Sequence, residues 1–217
     1  MRSKMMAGLL GIALAAGALG AADEFKLIFD GASADGWLTN NDKKPLSKAN
    51  VQAEGLNPHG SGGYLVIHDQ PHGDFVLDFD YKLSKGCNSG VFIRVADLKN
   101  PVYTGLEVAI DDTKGTGLHD SGALYDLVAP RANTQKPLGE WNHMTITAQG
   151  ANIEVALNGE TVTKANLDQF AEPGKRPDGT SHKFKVAIKD LARSGYLGFQ
   201  DHGQDCWYKN VKVKDLN

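Results

Sequence analysis

The stretch NSGVFIRVADLKNPVYTGLEVAIDD, residues 88–112, decides how the rest of this 217-residue chain is read. It has the pattern of two short strands joined by a turn, with Arg94, Glu107 and Asp111 set among apolar residues. Val91, Ile93 and Val95 alternate with Phe92, Arg94 and Ala96. Leu106, Val108 and Ile110 alternate with Glu107, Ala109 and Asp111. A period of two sends each set to its own face of a sheet. A turn centred near Asn100–Pro101 without a bulge would put Arg94 opposite Glu107, with cross-strand Cβ atoms roughly 5 Å apart. Such a pair is either a structural ion pair on a solvated face or part of a functional hollow.

Outward from this hairpin, the same alternation recurs. Residues 62–68, GGYLVIH, follow a turn-rich segment, and Phe75, Leu77, Phe79, Tyr81 and Leu83 alternate with Val76, Asp78, Asp80 and Lys82. Residues 141–148 alternate as well, and Ile153, Val155 and Leu157 run into Asn158–Gly159, a strong hairpin signal. A polar, proline-bearing loop is expected over 165–181, followed by strands at 196–200 and 208–213. About nine strands, 25 glycines and no helical segment of note predict an all-β fold, an antiparallel two-sheet jelly-roll sandwich.

Residues 1–22 have the form of a signal peptide: Arg2 and Lys4 precede a short run of small apolar residues ending in cleavage-type alanines and glycines. The mature chain, residues 23–217, is expected to be one domain, periplasmic or secreted, with no membrane span. A formal charge of −3 and the absence of a lysine-rich run argue against a nucleic-acid partner. Cys87 and Cys206 would either bridge in an oxidising compartment or remain two separately buried thiols. Their spacing is not that of a zinc site.

Several pieces, in order over nearly the whole mature chain, resemble the DUF1080 family, the 3-keto-disaccharide (3-keto-glycoside) hydrolases. They are Leu27-Ile28-Phe29-Asp30-Gly31 with Gly36-Trp37, then Asn88 to Arg94, then Gly105 to Asp112. Ser121-Gly122-Ala123-Leu124-Tyr125, Gly139-Glu140-Trp141-Asn142, Leu157-Asn158-Gly159, Gly198 to Gly203 and Tyr208-Lys209-Asn210-Val211 complete the set. One departure is Ala109, where the resemblance leads one to expect glutamine. The resemblance implies a concanavalin A-like sandwich, a carbohydrate substrate lying across one concave sheet, and an upstream sugar 3-dehydrogenase that supplies the ketone.

Most glycosidases use two carboxylates flanking the scissile bond. Glu107 and Asp111 share a strand face, but four residues of strand rise separate them by roughly 13 Å, too far for a retaining pair. A 3-keto sugar offers another route: the C3 carbonyl acidifies the C2 hydrogen, a base removes it, and the aglycone leaves from C1. That chemistry needs a base, a stabiliser for the enolate oxygen and an acid for the leaving group.

The candidate catalytic residues are Glu107, His202, Arg94 and Tyr125. Asp111, Gln200, Asp201 and Trp141 are candidate substrate-binding residues. A divalent metal held by Glu107 and His202, with Asp111, Asp112 or Asp120 as further donors, is an additional expectation. Two rival functions stand beside the keto-glycoside enzyme: a non-catalytic, lectin-like carbohydrate-binding module, and an ordinary glycanase acting on unoxidised sugar.

Overall fold

Alternating side chains build the larger of two sheets. The structure, a computed structural model, describes residues 24–216, so the leader lies outside the described residues. The strands are β1 (Lys26–Phe29), β2 (Trp37–Thr39), β3 (Val51–Gln52), β4 (Gly55–Leu56), β5 (Leu65–His68), β6 (Phe75–Leu83), β7 (Asn88–Val95), β8 (Leu106–Asp111), β9 (Asn142–Gln149), β10 (Asn152–Leu157), β11 (Glu160–Asn166), β12 (Tyr196–Gln200) and β13 (Cys206–Asp215). In β6 every odd position from Phe75 to Leu83 is buried while the even positions stay half-exposed. Strands β9 and β10 repeat the pattern.

The larger sheet runs β11-β10-β9-β6-β13-β4-β3, with β1 on β13, and the smaller runs β2-β5-β12-β7-β8. Every pairing is antiparallel. The two sheets face each other across one apolar core containing Phe79, Val91, Val108, Ile146, Phe199 and Tyr208. This is the expected all-β jelly-roll sandwich. The predicted hairpin turn at Asn158–Gly159 forms, with φ of +50° and +83° at the two residues. Strands β1 to β4 are short and have too few residues to show a period.

The smaller sheet differs in one respect. Strands β5, β7, β8 and β12 are buried on both faces, which requires a third layer over the outer face. That layer is made of connections: Leu98 and Val102 pack on Leu65, Ile67 and Phe92. The segment 121–125 extends the sheet beyond β8 through Gly122 N–H to Ala109 O (2.9 Å) and Tyr125 N–H to Glu107 O (2.8 Å).

Cys87 and Cys206 are free thiols, both buried. They are unbridged, the second of the two expected arrangements, and burial pushes the Cys206 thiol well up, with Cys87 acting in the same direction. Among the described residues no helix is long and apolar enough to cross a membrane.

Candidate active site

The hairpin that dominates the sequence does form, but in another register. A one-turn helix, α1 (Pro101–Thr104), takes up part of the connection, and Phe92 rather than Arg94 lies opposite Glu107. Arg94 sits past the last β7–β8 pair, in the left-handed region at φ +53°. It is 1% exposed. Its guanidinium donates to Gly73 O (3.2 Å), Gly150 O (2.8 Å) and Asp74 Oδ1 (2.8 Å), while Asp74 Oδ2 accepts from Gly150 N–H (2.9 Å). The expected Arg94–Glu107 pair is therefore absent: Arg94 is a clamp between the end of β7 and the loops flanking β6 and β9.

Glu107 enters the outer face of the smaller sheet. Gly90, beside it on β7, leaves it room: a Cβ there would lie 2.8 Å from Glu107 Oε1. The carboxylate lines a cleft of about 170 Å³ together with Tyr64, Asn88, Val102, Tyr125, Lys183, Gln200 and His202. Among the described residues neither carboxylate oxygen receives a hydrogen bond, and the nearest cation, Lys183 Nζ, is 3.9 Å from Oε2.

Burial pushes Glu107 up to about 7, against the pull of Lys183. Burial likewise lowers Lys183, against the pull of Glu107 and Asp126. Both partners move toward neutrality, so desolvation outweighs their mutual attraction at this separation. A carboxylate poised near neutral pH beside a cation is suited to taking a proton.

The remaining groups are donors. Tyr64 is pushed up to about 12 by burial and by Glu107, and Tyr125 is raised by the same two causes. Both phenols keep their protons at neutral pH. The Gln200 amide donates to the Tyr64 hydroxyl. His202 lines the cleft from its exposed rim.

Lys183 arrives just past the polar loop expected over 165–181. That loop folds back on itself, with Arg176 N–H to Thr180 O (2.8 Å) and His182 N–H to Gly174 O (2.9 Å). Asp126, itself at φ +57°, fastens the loop to the sheet by accepting from Lys183 N–H (2.7 Å) and from the Arg176 guanidinium. The Lys183 ammonium lies 4.4 Å from the centroid of the Tyr125 ring, and His119 stacks on that ring at 4.4 Å.

Of the residues singled out from sequence, Glu107, His202, Tyr125 and Gln200 share this cleft. The others do not reach it. The Asp111 carboxylate accepts from Ser121 N–H (2.9 Å) and Thr113 Oγ1 (3.1 Å). Asp201 binds Gly60 N–H and Gly203 N–H, both at 2.9 Å, and contacts His59, tying two loops together. Trp141 lies under Lys82 and Lys209. Lys183, Tyr64 and Asn88 escaped the sequence reading. Tyr64 and Asn88 flank strand signals, whereas nothing periodic marks Lys183.

Glu107 and His202 are the expected metal donors that face the cleft. Among the described residues no three His, Cys, Asp or Glu side chains gather as a metal group. Asp112 is occupied by Gly86 N–H and Asp120 by Thr113 and Gly117, so these further expected donors are turned away from Glu107 and His202. A larger hollow of about 580 Å³ around Trp37 and Pro45 has Asp35 and Lys48 as its ionisable lining and brings no comparable group of donors together.

Comparisons with known proteins bear on the family and the fold. The sequence profile described as a 3-keto-alpha-glucoside-1,2-lyase-like domain matches residues 24–214. A 3-keto-disaccharide hydrolase of Bacteroides thetaiotaomicron is 27% identical over 90% of this chain and 80% of its own length. A crystal structure of a Parabacteroides distasonis protein, provisionally named a glycosyl hydrolase, superposes with a TM-score of 0.74 at 25% identity, covering 89% of this chain and all of that one. A second structure from the same organism gives 0.72 at 23% identity, with 89% and 94% covered, and supports the fold. The chain belongs to the 3-keto-alpha-glucoside-1,2-lyase-like family and is a glycoside hydrolase or lyase.

Proposed function

We propose that this chain cleaves 3-keto-glycosides by elimination and hydration, with Glu107 as the base. The observation that carries the reading is Glu107 itself: a buried carboxylate without a hydrogen-bond donor among the described residues, held near neutrality and facing Lys183, Tyr64 and Tyr125. A largely buried carboxylate with no protein donor, open only to the cleft, is better explained by function than by stability.

In this reading Glu107 removes the C2 proton of the keto sugar. The C–H electron pair forms the C2=C3 double bond of an enolate, whose oxygen Lys183 stabilises. The enolate collapses to the ketone, a C1=C2 double bond forms, and the C1–O bond to the aglycone breaks. His202 at the rim, or the Tyr125 hydroxyl, protonates the departing oxygen. Water then adds its oxygen to C1 and a proton returns to C2, giving the free 3-keto sugar. Arg94 has no part in this scheme, because each of its guanidinium nitrogens is turned to Asp74, Gly73 or Gly150 and it does not line the cleft.

The leader at residues 1–22 supports export to the periplasm or beyond. The substrate requires an upstream oxidation of a sugar at C3, the work of a 3-dehydrogenase. The test is release of a chromogenic aglycone from a 3-keto-glucoside in deuterated water. Turnover with deuterium at C2, abolished in Glu107→Gln, is expected. Equal turnover of the unoxidised glucoside would refute the keto-dependent route.

A further inference from the structure

Gln200 carries an observation that this scheme does not use. It is 4% exposed and sits at the end of β12 in register with Leu65. One of its amide polar atoms meets the Tyr64 hydroxyl, and the other, Oε1, has no partner among the described residues. Turning the amide over would exchange the two atoms and still leave one unpaired. An orphaned buried amide atom costs on the order of 1–3 kcal/mol, and this one belongs to a residue that lines the cleft, just beneath its surface. A sugar hydroxyl, which both donates and accepts, would satisfy it in either orientation.

The size of the cleft sets a second limit. About 170 Å³ is well below the roughly 300–1,000 Å³ of pockets that enclose drug-sized ligands. Two linked sugar rings are ligands of that larger size, and one ring is not. The closed side is formed by Glu107 and Gln200, both buried, whereas Asn88 and His202 stand exposed at the rim.

We infer that the cleft encloses a single sugar ring, gripped through a ring hydroxyl by the Gln200–Tyr64 pair, and leaves the aglycone in solvent beside His202. The enzyme then selects its glycon and is indifferent to what that glycon is attached to. This rests on the keto-glycoside reading for the identity of the ring but not for the number of rings. Gln200 is a binding residue here, and Tyr64 a positioning residue for its amide.

The test is binding to the Glu107→Gln protein, which is not expected to turn substrate over, using methyl, phenyl and glucosyl 3-keto-glucosides. The three Kd values should agree within about threefold. Adding Gln200→Ala should weaken all three by about tenfold, the loss of one or two ligand hydrogen bonds. Tyr64→Phe, which keeps the ring edge packed on Phe92 (centroids 5.8 Å apart), should weaken all three by a smaller common factor. It serves as the second variant should Gln200→Ala fold poorly.

A disaccharide bound tenfold or more tightly than the methyl glycoside would overturn the one-ring cleft. So would a Gln200→Ala loss confined to one aglycone, or no loss at an unchanged melting temperature. Unoxidised glucosides binding as well as keto-glucosides would instead break the keto reading, and equal affinities across aglycones would still stand for the single ring.

Discussion

The outer faces of the two sheets treat their acids in opposite ways. On the larger sheet Asp78 and Asp80 stand among partners: His143 contacts them at 3.0 and 2.9 Å, Lys212 meets Asp78 at 3.0 Å, and Thr145 and Asn210 donate to them. That face is half-exposed along an alternating strand. On the smaller sheet Glu107 is covered by loops, touched by no donor among the described residues, and 3.9 Å from its one cation. The first arrangement solvates charge and contributes little energy. The second withholds solvation, and the result is a carboxylate that titrates near 7. Arg94 is the third case, equally buried but fully satisfied. Burial alone therefore does not mark a functional charge; burial without partners does.

The largest expected effect breaks the contrast at Glu107. Glu107→Gln should lower kcat on a 3-keto-glucoside by about 10³-fold, within the range for a general base. Its stability should move the other way. The folded protein holds the Glu107 proton up to about 7, whereas the free side chain releases it near 4.5. The native state therefore binds more protons between those values, and stability present below pH 4.5 is lost as pH rises to about 7. By that linkage the variant should exceed the parent by about 2–3 kcal/mol at pH 8 in denaturant unfolding and by little at pH 4. A variant less stable at pH 8 would refute the unsatisfied carboxylate.

Arg94→Met tests the satisfied charge. It should cost about 3–5 kcal/mol of stability, because Asp74 and two loop carbonyls lose their donor. Below the variant's melting temperature kcat should stay within about threefold of the parent, a shift of under 1 kcal/mol in the barrier. A large kcat loss in a well-folded Arg94→Met would return Arg94 to the site.

Lys183→Met sharpens the comparison between the two. It should reduce kcat/KM by about 10²-fold, the scale of one electrostatic stabiliser. Since Lys183 draws the Glu107 value down, its removal should move the acid limb of kcat/KM to higher pH. An unmoved limb would mean that the ammonium does not face Glu107. The smallest effects belong to the solvated face. Asp80→Asn and Trp141→Ala should leave kcat/KM unchanged, and Asp80→Asn should alter stability by less than about 1 kcal/mol. Lost activity in Trp141→Ala would place substrate on the larger sheet.

Much of the sandwich was legible because period two is a local property. Phe75 to Leu83 and Ile153 to Leu157 declare their faces over a few residues, and Asn158–Gly159 declares its turn. The hairpin at 88–112 was legible as an element but not in register, since the connection spends residues on a helical turn whose length no alternation reports. That displacement of two residues leaves the faces unchanged but carries Arg94 past the last β7–β8 pair, where it turns at φ +53° onto Asp74 and two loop carbonyls.

The sequence by itself determined the longer strands, their faces and the presence of an acid on β8 within a run of family-like motifs. Tertiary structure alone decided that the acid would be largely buried without a protein donor and that Lys183, rather than Arg94, would stand beside it. The physical reason is range. Alternation is written in neighbouring residues, whereas Lys183 is placed by a folded-back loop docked on Asp126 through backbone and guanidinium hydrogen bonds, contacts between distant segments that have no period to read.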